Sequence, residues 1–129
     1  MKQPKVLVAD DDIHLLNIAK LNFERAGFLV VTVPNGDEVL KRVKTELPDL
    51  IVLDIVMPVL DGMETLKALK GNEDTKKIPV IMLTIKAEDK DIFQGWKEGA
   101  EAYLTKPFEP AEVIIMAQGI LRDRREGLL

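Results

Sequence analysis

The chain has 129 residues, the size of one domain with room for a core that needs no metal or disulfide staple. Apolar residues at 47% and charged residues at 31% set aside both disorder and a membrane location, and a formal charge of −4 argues against direct nucleic-acid binding, which depends on clustered Lys and Arg. With no cysteine, disulfides, zinc-thiolate sites and thiol chemistry are excluded, in keeping with a reducing, cytoplasmic setting.

Nothing behind Met1-Lys2-Gln3-Pro4 reads as a signal peptide, and no run is long enough to span a bilayer. From there, short apolar runs alternate with amphipathic stretches, the pattern of an α/β domain with a parallel sheet. The expected strands are residues 5–9, 29–33, 50–53, 79–83 and 102–104. The first, third and fourth are continuous apolar runs and suit central positions. The second and fifth, interrupted by Thr32 and Tyr103, suit the flanks.

Helical spacing links Leu16, Ala19, Phe23 and Ala26 in the first helix, and Val39 or Leu40, Val43 and Leu47 in the second. Gly27 stands where a C-cap belongs, Asn35-Gly36-Asp37 supplies turn and capping chemistry, and Pro48 stops the second helix. A third helix is expected near residues 64–70, a fourth over 89–98 ending at Gly99, and a fifth from Pro110 to about Arg124. Val113, Met116 or Ala117, and Ile120 or Leu121 form the inner face of that last helix. Residues 1–129 thus read as one domain.

The informative feature is where the buried strands stop. Val6-Leu7-Val8-Ala9 runs into Asp10-Asp11-Asp12, and Ile51-Val52-Leu53 runs into Asp54. In an open α/β sheet, ligands collect beyond the carboxyl ends of the strands, so these acids meet there. Gathering carboxylates is costly without a cation, and an all-oxygen cluster lacking His and Cys suits Mg²⁺ rather than zinc. Two further strand ends supply Thr84 and Lys106-Pro107. A hydroxyl and an ammonium at the same crevice stabilise the oxygens of a transferring phosphoryl group, with Asp54 as nucleophile.

The runs Val6 to Asp12, Leu53-Asp54-Ile55-Val56-Met57-Pro58-Val59-Leu60-Asp61-Gly62, Met82-Leu83-Thr84 and Lys106-Pro107-Phe108 together resemble the receiver domains of two-component response regulators, notably the chemotaxis-type single-domain kind. The resemblance covers essentially the whole chain. It implies a flavodoxin-like, doubly wound parallel sheet of five strands in the order 2-1-3-4-5 with five helices. It also implies that Asp11 ligates Mg²⁺ directly, that Asp10 assists, often through water, and that the Val56 backbone carbonyl adds a contact. Asp54 then ligates the metal and accepts the phosphoryl group from a sensor histidine kinase or phosphotransfer protein. By the same likeness Thr84 hydrogen-bonds the phosphoryl oxygens, Lys106 pairs with Asp54 and then the phosphate, and the bond before Pro107 is cis. Movement of Thr84 and inward turning of Tyr103 switch the face of the fourth helix, fifth strand and fifth helix for a downstream effector.

The chain departs from the family pattern in places. Ile85 replaces a usually small residue, and Val56 with Lys86 at the flanking positions suggests slow self-dephosphorylation. Ala100-Glu101-Ala102-Tyr103, with Ile115 and Met116 in the last helix, lacks the charged dimer contacts of winged-helix relatives. After Lys106 there is room for a final helix and no DNA-binding domain, so the chain is a stand-alone receiver or part of a larger protein. Asp12 reads as a helix cap, His14 as a surface residue, Trp96 and the methionines as packing, and Arg122, Arg124 and Arg125 as complements to the last helix end.

Three rivals define useful contrasts. A haloacid dehalogenase-type phosphatase would use Asp10 as nucleophile, so the position of the phosphoryl group separates it from a receiver. A binding module that is never phosphorylated would lack a key acid, and all are present. A flavin carrier of the same fold would present hydroxyls and glycines, not three carboxylates, to its phosphate.

Overall fold

Residues 3–57, 59–84 and 99–127 are described by the computed structural model. They form β1 (Lys5–Ala9), α1 (Ile13–Arg25), β2 (Leu29–Val33), α2 (Gly36–Glu46), β3 (Leu50–Asp54), α3 (Gly62–Lys70), β4 (Val80–Thr84), β5 (Ala102–Thr105) and α4 (Pro110–Arg125). The helix expected over residues 89–98 lies outside the described residues, as do Pro58, Ile85, Lys86 and Trp96.

The strands make one sheet in the order β2-β1-β3-β4-β5, every pair parallel. The alternating runs point to a parallel α/β sheet, and this order is the flavodoxin-like one that the family resemblance implies. The apolar alternation explains both faces. Val6, Val8, Leu50, Val52, Ile81 and Leu83 pack with Leu16, Phe23, Val113 and Ala117 of α1 and α4. Their neighbours Leu7, Ala9, Ile51, Leu53, Val80 and Met82 pack with Val39, Val43, Leu66 and Leu69 of α2 and α3. Each of these Val, Leu, Ile, Phe and Met side chains contributes about 1.5–3 kcal/mol by leaving water, so β1, β3 and β4 are locked between two layers. β2 and β5 keep partly exposed residues, as edge strands do.

Capping fixes where the helices begin. Asp12 accepts hydrogen bonds from the His14 and Leu15 N–H groups, Asn35 from Glu38 and Asp61 from Glu64. The Asp61 cap starts α3 at Gly62, two residues before the apolar spacing suggested. Pro110 opens α4, and the Glu112 carboxylate accepts from the Glu109 N–H at 3.0 Å.

One core expectation is overturned. Leu47 is 72% exposed and left-handed, at φ 48, rather than the last residue of the buried α2 stripe. Pro48 disfavours right-handed helical geometry at the residue before it, so α2 ends at Glu46 and the chain turns away through Leu47. The sheet order reverses between β1 and β3, which opens a crevice above their carboxyl ends.

Candidate functional site

Register places the acids together. Ala9 pairs with Leu53 across β1 and β3, so Asp10 leaves β1 beside Asp54, the last residue of β3. Asp10 is fully buried, and its N–H donates to the Val33 carbonyl at 3.2 Å, extending the β1/β2 ladder by one residue. One Asp10 oxygen accepts from the Asp12 N–H at 2.9 Å and the other from Lys106 Nζ at 2.7 Å. Asp11 is exposed. Carboxylate oxygens of Asp10, Asp11 and Asp54 all lie within 4.8 Å of one another.

Lys106 is carried to the same rim by β5. Its backbone N–H donates to the Thr84 carbonyl at 2.6 Å, and the Lys106–Pro107 bond that follows is cis. Its Nζ stands 2.7 Å from Asp10 and 3.5 Å from Asp54. The lysine therefore bridges both acids, the contact with Asp10 being the shorter. Thr84 ends β4, buried, opposite Thr105. Tyr103 is half-buried on β5 and packs against the core layer of α2 and α3. Val56 is 67% exposed, while its backbone N–H hydrogen-bonds the Asp54 carboxylate.

The electrostatics follow from this crowding. Burial, then the charge of Asp10, raises the Asp54 pKa to about 6, with Lys106 and the Val56 N–H offsetting part of the rise. Burial alone would lower the Lys106 pKa, but the hydrogen bond to Asp10 and the charges of Asp10 and Asp54 raise it. One ammonium does not neutralise three carboxylates. A hard divalent cation with oxygen ligands would, and the donor set, all carboxylate with an exposed backbone segment at Val56, fits such an ion.

Sequence reasoning missed how the loop after Asp54 is held. A Cβ on Gly62 would fall 2.0 Å from the Asp54 carbonyl oxygen, and one on Gly36 would fall 2.4 Å from that of Leu60. Gly62 stood in the run after Asp54, a signal for close backbone approach. Gly36 gave none beyond its place in a turn.

The chain and its fold have counterparts among known proteins. The family model for the response regulator receiver domain matches residues 6–118. Alkaline phosphatase synthesis transcriptional regulatory protein PhoP of Bacillus subtilis is 44% identical over 118 residues, covering 92% of this chain and 48% of that protein. The chain spans about half the length of the curated relatives it matches. Among solved structures, the Francisella response regulator 1452 receiver domain is 39% identical with a TM-score of 0.87, covering 95% of this chain and 99% of that one. The chemotaxis response regulator CheY4 of Vibrio cholerae is 31% identical, also with a TM-score of 0.87, covering 92% and 99%. Match to the family over most of its length, and to solved receivers over nearly the whole of theirs, makes this chain a member of the response regulator receiver family, the phosphoacceptor signalling domains of two-component systems.

Proposed function

We propose that Asp54 is the phosphoacceptor, taking the phosphoryl group from a sensor histidine kinase or a histidine-bearing phosphotransfer protein in a Mg²⁺-dependent step. The observation that carries this reading is the convergence of Asp10, Asp11 and Asp54 within 4.8 Å, with Lys106 reaching two of them. Asp10, Asp11, Asp54 and the Val56 backbone carbonyl would hold the cation. When bound, Mg²⁺ supplies positive charge to the phosphoryl oxygens and lets three acids share one hollow.

Asp54 is held for attack by its place at the end of β3 and by the Val56 N–H. A carboxylate oxygen of Asp54 attacks phosphorus in line with the donor's P–N bond. The P–O bond forms as the P–N bond breaks, and its electron pair stays on an imidazole that leaves neutral, protonated on its other nitrogen. Lys106, held charged by Asp10, faces the negative charge that develops on the phosphoryl oxygens, and the Thr84 hydroxyl donates to one of them. Asp54 must be ionised to attack; burial and Asp10 oppose this in the metal-free fold by raising its pKa to about 6, and a bound cation would favour the carboxylate.

Phosphorylation then draws Thr84 towards the phosphoryl group and Tyr103 inward. This remodels the face that includes β5 and α4 for a downstream effector protein; the helix expected over residues 89–98 lies outside the described residues. The domain, residues 1–129, acts in the cytoplasm without direct nucleic-acid contact, and dephosphorylates itself slowly. No helix among the described residues is long and apolar enough to cross a membrane.

Intact-mass measurement after incubation with acetyl phosphate and Mg²⁺ tests the chemistry. An added phosphoryl mass on the wild type, absent from Asp54→Ala, is expected. Retention of that mass in Asp54→Ala, with loss in Asp10→Ala, would transfer the role of nucleophile to Asp10.

A further inference from the structure

The loop between Asp54 and α3 is clamped at two points. At its base, the Gly62 N–H donates to the Ile55 carbonyl at 2.7 Å, and the backbones approach so closely that a Cβ on Gly62 would meet Asp54 O at 2.0 Å. Near its far end, the Leu60 carbonyl rests on Gly36, the first residue of α2. A Cβ on Gly36 would stand 2.4 Å from Leu60 O and 2.0 Å from Thr65 Oγ1. Thr65 is fully buried in α3, and its hydroxyl donates to the Asp61 carbonyl at 2.7 Å.

Between these points the backbone is strained. Val59 has φ 70 and is 82% exposed. A β-branched residue in the left-handed region is a steric outlier, and its exposed side chain recovers little by packing. Such a conformation persists only where the chain on both sides leaves no alternative. Here the chain before it is fixed at Ile55, in the pinch with Gly62, and the chain after it at Leu60, seated on Gly36 and Thr65.

We propose that Gly36 and Thr65 are positioning residues for phosphoryl transfer: they seat the Leu60–Asp61 backbone so that the Val56 segment is held against Asp54 and the cation. Neither residue touches the acids. The inference rests on the reading of Asp54 as acceptor, since it assigns α2 a part in shaping that residue's loop. A side chain at position 36 must push Leu60 outward, because the opposing atom is backbone and cannot swing aside. Loss of the Thr65 hydroxyl leaves the Asp61 carbonyl with the Thr65 N–H alone, at 2.9 Å, and loosens the same seat.

Mg²⁺ titration by calorimetry, with no phosphodonor present, is the direct test, joined by hydrogen exchange of the Gly62 amide in metal-free protein. Gly36→Ala should raise the Mg²⁺ dissociation constant about tenfold and slow acetyl phosphate incorporation at saturating Mg²⁺ by a similar factor. Thr65→Val should raise the constant about threefold and speed Gly62 exchange, while Thr65→Ser, which keeps the hydroxyl, should behave as wild type. Leu69→Ala, which hollows the buried face of α3 far from the loop, should lower the melting temperature yet leave Mg²⁺ affinity unchanged.

Should Gly36→Ala not fold, the Thr65 pair decides. Wild-type Mg²⁺ affinity in Thr65→Val, failure of Thr65→Ser to keep it, or an equal loss in Leu69→Ala would each overturn the proposal. A wild type that binds Mg²⁺ but takes no phosphoryl group would instead overturn the acceptor reading, with the loop seat still visible in the titration and the exchange. No Mg²⁺ binding by the wild type would overturn both.

Discussion

Two largely buried lysines stand at opposite rims of one sheet. Lys106 sits at the carboxyl rim between Asp10 and Asp54, its side chain 16% exposed, and its pKa is raised. Lys70 ends α3 towards the amino rim, its side chain 14% exposed, and its pKa is lowered. Burial pulls both down, so burial does not separate them. Lys106 faces two acids, one fully buried, and their pull exceeds the desolvation cost. Lys70 faces Glu101 alone at 3.5 Å, with Arg124 adding to the lowering, and it spends its other donors on the carbonyls of Lys76 and Ile78. Glu101 in turn accepts the Val80 N–H at 3.0 Å. Lys70 thus ties the end of α3 to the entries of β4 and β5, while Lys106 holds charge where a phosphoryl group would arrive.

Removing each lysine is the strongest way to break this contrast. Lys106→Met leaves Asp10 buried and facing Asp54 without its partner. In metal-free buffer it should cost about 3 kcal/mol in urea unfolding. Without its positive charge, acetyl phosphate incorporation should fall about 100-fold. Lys70→Met loses hydrogen bonds to carbonyls and one partly exposed carboxylate, so about 1–2 kcal/mol of stability should go. Its incorporation rate, measured where the protein is folded, should stay near wild type. Equal rate losses in the two variants would show that the lysines differ only in address.

The acid rim also carries a pH dependence of its own, set by Asp54. Asp54 is raised from its ordinary value of 3.8 to about 6, so the folded state binds the proton more tightly than the unfolded chain. That contribution to stability is complete below about pH 4 and is lost as pH rises through about 6. At pH 7 the carboxylate is therefore a net burden on the metal-free fold. Asp54→Asn, nearly isosteric with the protonated acid, should gain about 1–2 kcal/mol at pH 7. The gain should vanish near pH 4, as read from urea midpoints across that range. A gain independent of pH would assign the effect to packing instead of charge.

The carboxyl rim was more legible in the sequence than the elements around it, and for a physical reason. A buried parallel strand must be apolar throughout, so a polar residue that ends one is conspicuous: Asp10, Asp54 and Thr84 all stand at such ends. Strand alternation likewise separated the central strands from the edges. The partner preference of Lys106 was not legible, because whether its Nζ lies nearer Asp10 or Asp54 depends on the path of β5 and not on local spacing. The seat of Leu60 on Gly36 was equally hidden, since the two residues meet only through the packing of α2 on α3. Leu47 misled for the opposite reason. Its spacing fitted the α2 stripe, and only the following Pro48 signalled that the helix could not continue through it.

The smallest expected effect compares two left-handed residues, again one at each rim. Leu47, at φ 48, closes α2 with its N–H bonded to the Val43 carbonyl at 3.1 Å. Val59, at φ 70, lies in the loop after Asp54. Both are non-glycine residues with exposed side chains, so in each case glycine removes the Cβ penalty at the cost of added freedom in the unfolded chain. Each replacement should therefore stabilise by about 0.5 kcal/mol in urea titration. Function should divide them. Leu47→Gly keeps its cap hydrogen bond, acts far from the acids and should leave Mg²⁺ affinity and phosphorylation unchanged. Val59→Gly gives freedom to a loop whose rigidity orients the Val56 segment, and Mg²⁺ affinity should fall about twofold to threefold. An unchanged affinity in Val59→Gly would mean that the strain at the carboxyl rim is as incidental to the chemistry as the left-handed turn at the amino rim.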